Sequence, residues 1–271
     1  SRMTIIAGVF SICAILCYIV CFKLTSERVE VPANNQKISA SAIFKSIFTN
    51  KALLGIIVAA IFVLLSQLTV MSLAGYVYPN VYGSAAAQST ASLLGTAVAL
   101  VICAPLASKL AARFGKKELA VVSCTFSALV YVVCFIWRPQ IVWGYVACYI
   151  LANIGMGFFN TIIWAMITDV IDDAEVRNGV REDGTIYSVY SFARKLGQAF
   201  SSGLVGALLG IIGYSEATAF DPAVTRGIFN MACIAPIIGF VAIVLALAFL
   251  YPLGKKKVEE NVAILAERHA K

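Results

Sequence analysis

Two adjacent cations, Arg194 and Lys195, lie inside residues 185–214, a long stretch that carries no other charged side chain. They follow its start by about ten residues, which at about 1.5 Å per residue is about 15 Å along a helix. The hydrocarbon core of a bilayer is about 30 Å thick, so this depth is close to its middle. A cation there costs about 2.5–3.5 kcal/mol on insertion scales, so we expect it to face a wet cavity or an anion. The pair is our first candidate for a functional centre.

Amide, hydroxyl and aromatic side chains share helical faces near these cations, because residues three or four apart lie on one side of a helix. They are Asn153, Asn160 and Trp164 in one apolar stretch and Ser188, Tyr190 and Ser191 in the next. Sugar hydroxyls need paired donors and acceptors, and an aromatic ring covers the apolar face of a sugar. The pattern indicates a site for a polyhydroxylated ligand. Hydrogen bonding between helices explains Asn153 or Ser188 alone equally well.

Acidic residues cluster where residues 141–168 leave the predicted membrane. With the basic residue that follows them, the candidates are Asp169, Asp172, Glu175 and Arg181. One interpretation is a solvated run of charges. The other is a cytoplasmic gate, in which these side chains pair with basic loops of an opposing half in one conformational state only.

Composition indicates the class of protein. The chain has 271 residues, of which 61% are hydrophobic and 13% charged, whereas soluble domains carry about 25% charged residues. Seven apolar stretches reach the about 20 residues that a crossing helix needs: 3–22, 52–78, 84–108, 119–137, 141–168, 185–214 and 228–253. Helices satisfy their own backbone in lipid, so the sequence predicts an all-α, polytopic membrane protein with seven transmembrane helices.

The distribution of basic residues predicts the orientation. Threading the seven stretches alternately puts 16 of the 21 Lys and Arg residues on one side, and only Arg2, Arg138 and Arg226 on the other. Cytoplasmic loops carry such an excess, so we expect a cytoplasmic C-terminus and a location in the cell (inner) membrane. The net charge of +7 then indicates topology and contact with membrane lipids, and does not indicate nucleic acid.

The spacing of the stretches predicts the domain organisation. A polar segment of about 28 residues separates the first stretch from six closely spaced ones, and it is far longer than a usual connection in a bundle. We assign residues 1–22 to the last helix of an N-terminal half, 23–50 to a central cytoplasmic linker, 51–254 to a C-terminal six-helix bundle and 255–271 to a cytoplasmic tail. No acid lies in any stretch, which independently favours a missing N-terminal six-helix half that supplies counter-ions.

Glycines in residues 185–214 predict close packing. Gly203, Gly206, Gly210 and Gly213 recur at spacings of three and four, and such faces let membrane helices approach closely.

Enzymatic chemistry has little support. The one histidine is His269 in the tail, the eight cysteines form no Cys-x-x-Cys pair, and no nucleophile and base stand at a useful spacing. We therefore predict no enzyme, no metal site and no cofactor.

Three sequence runs resemble the glycoside–pentoside–hexuronide:cation symporters, the melibiose permease-like family of the major facilitator superfamily. They are ITDVIDDAE at 167–175, GVREDGTIYS at 179–188 and SFARKLGQA at 191–199. The third run is more similar to the bacterial glucuronide and xyloside carriers of that family. The resemblance covers the whole chain as helices 6–12 of twelve.

This resemblance implies import of a sugar or glycoside together with Na⁺ or H⁺. It implies that Lys195 is the family's essential mid-membrane lysine, that Tyr190 and Ser191 line the sugar site, and that an inner charge network is formed by Asp169, Asp172, Glu175 and Arg181. The melibiose-type carrier has a sugar-facing tryptophan where Asn160 stands, with Trp164 one turn later. The family's cation-binding carboxylates belong to the first half.

Two other functions remain open. A sodium-coupled lysolipid carrier of the same fold has a similar lysine, and it predicts a lipid-sized apolar cleft in place of hydroxyl-lined walls. A non-transporting membrane fragment or scaffold predicts no ligand.

Overall fold

The computed structural model describes residues 2–25 and 50–269. Most of the predicted linker, residues 26–49, lies outside the described residues, as do residues 270 and 271 of the predicted tail. Within the described ranges the chain is helical and contains no strand, so the all-α class is confirmed.

Nine α-helices form the described chain, and several are continued by a short π-helical turn. The helices are α1 Arg2–Leu24, α2 Lys51–Tyr76, α3 Ala85–Val98, α4 Ala104–Phe114, α5 Lys116–Trp137, α6 Val142–Asn178, α7 Asp183–Ile211, α8 Pro222–Leu245 and α9 Lys255–His269. The π-helical turns are Val77–Val81, Ala99–Cys103 and Ala246–Leu250. Helix α1 lies in a unit separate from α2–α9.

Six of the described helical stretches are long and apolar enough to cross a membrane. They are Met3–Leu24, Lys51–Val81, Ala85–Phe114, Lys116–Trp137, Val142–Asn178 and Pro222–Leu250. The seventh predicted span falls on α7, which has 29 residues but does not reach the same hydropathy. Arg194 and Lys195 lower its hydropathy, so α7 depends on its neighbours for a suitable environment.

Helix α2 packs against both α7 and α8. Helix α5 packs against α6 and α8, and α3 packs against α6. The contact between α2 and α7 is close at Gly197. A Cβ atom there would lie 2.6 Å from the carbonyl oxygen of Ile61 and 3.2 Å from Cβ of Leu64. The absence of a side chain at Gly197 therefore sets how near α7 comes to α2.

The prediction of close packing at Gly203, Gly206, Gly210 and Gly213 is wrong for the described part of the chain. A Cβ atom at any of the four would meet no described heavy atom within 4 Å. The spacing correctly places the first three glycines near one another on the helix, but their face is not the one that packs against α2.

Helix α6 has 37 residues and is therefore about 55 Å long, well beyond a hydrocarbon core of about 30 Å. Its last turns carry the acidic residues that end at Glu175, and Gly179 stops the helix with a left-handed backbone (φ 74°). The residues of the predicted tail form α9, which packs against this end of α6. Acidic residues there can be paired or hydrated without entering lipid.

The approach of α7 to α2 gives a test of packing. Gly197→Ala forces a methyl group against the backbone of Ile61, and overpacking of this kind costs about 1–3 kcal/mol. Gly203→Ala on the same helix meets open space and gains helix propensity, so it is the matched control. Thermal unfolding of the detergent-solubilised protein should show a lower midpoint for Gly197→Ala alone. Equal midpoints for the two variants would contradict this packing.

Candidate functional site

Helix α7 presents an exposed polar stripe. Ser188, Ser191 and Lys195 are all exposed in the described structure. The ammonium of Lys195 donates to Oε1 of Gln198 at 3.1 Å, and Ser188 Oγ donates to the carbonyl of Gly184 at 2.6 Å. No carboxylate of the described residues pairs with Lys195. Its positive charge at mid-span is thus balanced by no acid of α2–α9.

Arg194 turns towards α6, where it contacts two aromatic rings. Its guanidinium carbon lies 5.2 Å from the ring centroid of Trp164 and 5.7 Å from that of Tyr190. Nη1 also donates to the hydroxyl of Tyr190 at 3.2 Å. A cation over an aromatic face gains about 0.5–2 kcal/mol, with the larger values in desolvated sites. These contacts allow a half-buried guanidinium to be held where water is scarce.

The two rings are themselves packed against each other. Trp164 and Tyr190 meet edge to face, with centroids 5.5 Å apart and planes at 72°. Tyr190 is fully buried, whereas Trp164 is 48% exposed. The cluster therefore has a rigid buried side and an open aromatic side, and we call Arg194, Trp164 and Tyr190 the aromatic–arginine cluster.

Asn160 lies one helical turn from Trp164 but belongs to a different feature. It lines a cleft of about 260 Å³ between α2, α3 and α6, which none of the cluster residues reaches. The structure thus separates the six predicted ligand residues into three places. Arg194, Tyr190 and Trp164 form the cluster, Lys195 and Ser191 share the exposed stripe, and Asn160 faces the cleft.

Among the polar residues of the cleft, sequence reasoning missed Gln67 of α2. A detectable signal existed, since Gln67 is the single amide in the apolar residues 52–78, and polar groups inside membrane helices often mark function.

The predicted gate residue Asp169 is paired within the chain. Its Oδ1 accepts from Nζ of Lys116 at 2.6 Å, and the Asp169 side chain is only 4% exposed. Lys116 opens α5, so this pair joins α5 to α6. Within the described structure, Asp169 therefore pairs with Lys116 and not with Lys195.

The other predicted gate residues meet at Arg181, in the loop between α6 and α7. Its guanidinium lies 3.0 Å from Asp172, 2.8 Å from Glu175 and 2.9 Å from Asp183. Burial by itself lowers the pKa of Arg181, but the bonds to these carboxylates outweigh burial and raise that pKa above its ordinary value. The guanidinium remains charged and ties the end of α6 to the start of α7.

Helix α9 adds contacts that sequence reasoning did not foresee. Asn261 donates to the buried Asp173 at 3.1 Å, and Asp173 also pairs with Arg177. Arg268 donates to the carbonyls of Glu175 and Val176, at 3.2 and 3.1 Å. A cation at the carboxyl end of a helix also interacts favourably with the helix dipole, so α9 stabilises the end of α6.

The pair between Lys116 and Asp169 can be tested by replacing one partner alone and then both partners together. Lys116→Met leaves a buried carboxylate without its partner, which should lower the free energy of unfolding by about 1–3 kcal/mol. Replacing both residues, as Lys116→Met with Asp169→Leu, should recover most of that loss because no charge remains buried. Lys109→Met, which removes an exposed lysine without an ion pair to any described residue, is the control. Denaturant unfolding measures all four proteins, and equal losses from Lys116→Met and Lys109→Met would refute the pairing.

Comparison with known proteins identifies the family of this chain. Residues 1–255 match a family described as MFS/sugar transport protein. The glucuronide carrier protein homolog of Escherichia coli (strain K12) is 28% identical over 263 residues, which are 96% of this chain and 56% of that protein. An uncharacterized symporter of Bacillus subtilis (strain 168) is also 28% identical, over 98% of this chain and 57% of that protein.

A putative sulfoquinovose importer of Salmonella typhimurium is 27% identical over 97% of this chain and 56% of its own length. The chain therefore spans about half the length of the curated relatives it matches. Because the family match covers nearly all of its residues, and because its described part is a bundle of membrane-length helices, this chain belongs to the MFS/sugar transport protein family.

Proposed function

We propose that the full-length protein is a symporter that imports a glycoside, pentoside or hexuronide together with Na⁺ or H⁺. Membership of a sugar transport family supports the general activity. The observation that carries the proposal is the ammonium of Lys195, exposed at mid-span on α7 with no acid of α2–α9 beside it. A charge in that position needs an anion from a ligand or from a second helical half.

Lys195 is proposed to couple the sugar to the cation. Carboxylates of an N-terminal six-helix half would neutralise it in one state, and binding of Na⁺ or H⁺ to those carboxylates would release it. Coupling is then a difference in electrostatic free energy between two states of one cavity. This scheme leaves the cation site in the N-terminal half and assigns no metal ligand to this chain.

The aromatic–arginine cluster and Ser191 are proposed to bind the sugar. The open face of Trp164 suits the apolar face of a sugar ring, while N–H groups of Arg194 suit a carboxylate. Relatives are named for glucuronide and sulfoquinovose, both of which carry an acidic group. These features together favour a hexuronide or a similar acidic sugar over a neutral pentoside.

The ion pairs at the end of α6 are proposed to serve the cytoplasmic gate. Asp169 and the carboxylates around Arg181 hold α5, α6 and α7 together at one end of the bundle. That end would move as one body, and exchange of these partners for basic loops of the opposing half would close it. The excess of basic residues there supports a cytoplasmic position for that end and for the C-terminus, in the inner membrane of a cell.

The lysolipid alternative has less support. An apolar groove of about 370 Å³ does lie between α2, α7 and α8, but neither Lys195 nor Arg194 lines it. The cleft that contains Asn160 instead has six polar side chains set among apolar ones in its walls. A hydroxyl-bearing ligand fits those walls better than an acyl chain does. A non-transporting scaffold has no need of an unneutralised cation inside its membrane span.

Replacement of Lys195 tests the coupling. In the full-length transporter, Lys195→Gln should reduce sugar-driven cation uptake by about 5–150-fold, the range of typical coupling free energies. Stability should change little, since the side chain is exposed and bonds only to Gln198 among the described residues. Uptake into membrane vesicles measures the coupling, and thermal unfolding measures the stability. Coupling at full strength in the variant would defeat this role.

Replacement of Arg194 tests the choice of an acidic sugar. Arg194→Gln should weaken binding of methyl β-D-glucuronide by about tenfold to a hundredfold, since hydrogen bonds to charged groups contribute about 1.5–3 kcal/mol. Binding of methyl β-D-xyloside, which has no carboxylate, should weaken much less. Arg194→Lys keeps the positive charge but loses the planar guanidinium. Its affinity for the glucuronide should therefore lie between that of the unmodified protein and that of Arg194→Gln. Calorimetric titration of the full-length protein makes the comparison, and equal losses for both sugars would contradict a carboxylate contact.

A further inference from the structure

A cleft of about 260 Å³ opens between α2, α3, the turn Ala99–Cys103 and α6. Its polar lining includes Gln67 of α2, Ser92 of α3, and Tyr149, Asn153 and Asn160 of α6. Each of these helices belongs to a membrane-length apolar stretch. Polar groups at such depth are costly unless they find partners or face water or a ligand.

Some of these groups already have partners. The amide of Asn153 is one, since its Nδ2 donates to the carbonyl of Tyr149 at 2.8 Å. The amides of Gln67 and Asn160 differ, because neither forms a hydrogen bond with any residue that the structure describes. Two amides from two helices therefore reach the cleft with their donors and acceptors unused by the bundle.

Part of the cleft wall is formed by irregular backbone. Regular α-helix gives way to a π-helical turn at Ala99–Cys103, and Ala99 and Leu100 of that turn line the cleft. Irregular backbone at membrane depth is tolerated where it is buried or lines a cavity, and π-helical turns often occur at functional sites. At Gly157 a Cβ atom would come 2.9 Å from Sγ of Cys103, so the turn can approach α6 only because that residue is glycine.

We propose that this cleft is a second part of the sugar site, which binds ring hydroxyls through Gln67 and Asn160. The inference rests on the proposed function and adds a specificity-determining residue, Gln67, to it. A side-chain amide offers two donors and an acceptor oxygen with two lone pairs, and so can bind two neighbouring hydroxyls. The ligand class is a polyhydroxylated ring, and a ligand with fewer hydroxyls leaves the amides unpaired.

The position of the cleft suits a ligand that also reaches the aromatic–arginine cluster. Asn160 and Trp164 are four residues apart on α6, which is about 6 Å along the helix axis. A single sugar can therefore place its acidic group at Arg194 and its hydroxyls in the cleft. Charge recognition is then assigned to α7, and hydroxyl recognition to α2 and α6.

The decisive variant is Gln67→Leu in the full-length protein, with Gln88→Leu on α3 as the matched control because Gln88 does not line the cleft. The probes are methyl β-D-glucuronide and its 2-, 3- and 4-deoxy analogues. Gln67→Leu should weaken binding of the parent glucuronide by about tenfold to a hundredfold, the penalty of a lost hydroxyl partner in a built site. At least one deoxy analogue should bind the variant and the unmodified protein equally well. Equal loss across all four probes, or no loss relative to Gln88→Leu, overturns the subsite.

A second measurement does not depend on whether Gln67→Leu folds normally. The thiol introduced by Gln67→Cys should react with a hydrophilic maleimide, because thiol reactivity requires a hydrated thiolate, and the glucuronide should slow that reaction. Leu65→Cys, in the apolar groove, should stay unreactive. If the Gln67→Cys thiol does not react, or if it reacts at the same rate with and without the glucuronide, the subsite alone is overturned. Failure of the unmodified protein to bind any of the probes overturns the proposed function, and the subsite with it.

Discussion

The cost of placing charge in hydrocarbon is the constraint on which the rest of this structure depends. Helix α7 carries Arg194 and Lys195 at mid-span and is less apolar than the other long helices, so lipid on all sides would destabilise it. Packing on α2 at Gly197 covers one side of the helix. The rings of Trp164 and Tyr190 hold the guanidinium of Arg194 on a second side. Only the face of Lys195 is left without a compensating group in the described bundle.

The cost of charge in hydrocarbon also explains why the carboxylates at the end of α6 are paired, whereas the cation of Lys195 in the middle of α7 is not paired with any described acid. Acidic residues are placed where α6 extends beyond the hydrocarbon, and each predicted gate carboxylate is bonded to a cation of this chain: Asp169 to Lys116, and Asp172 and Glu175 to Arg181. Paired charges hold helices in fixed relation, whereas an unpaired charge can respond to a ligand. The described bundle therefore combines paired charges at the end of α6 with an unpaired cation in the middle of α7.

Individual residues show which features follow from the helical repeat and which depend on contacts between helices. Helical spacing correctly placed Ser188, Ser191 and Lys195 on one face, because that face depends only on the 3.6-residue repeat. Spacing did not reveal that Arg194 lies over Trp164, a residue 30 positions earlier in the chain. It also failed for Gly203, whose face is open, while Gly197 provides the close contact. Gln67 was overlooked because its meaning depends on the cleft that it lines.

Sequence by itself determined the all-α class, the membrane-length helices and the presence of two adjacent cations inside one long apolar stretch. Each of these follows from local composition or from the period of a helix, which residues express without reference to distant neighbours. Tertiary structure alone decided which polar groups find partners, such as Asp169 with Lys116 across 53 residues, and which find none among the described residues, such as the amides of Gln67 and Asn160. Partners are set by how helices pack, and packing depends on side-chain shapes from several helices at once.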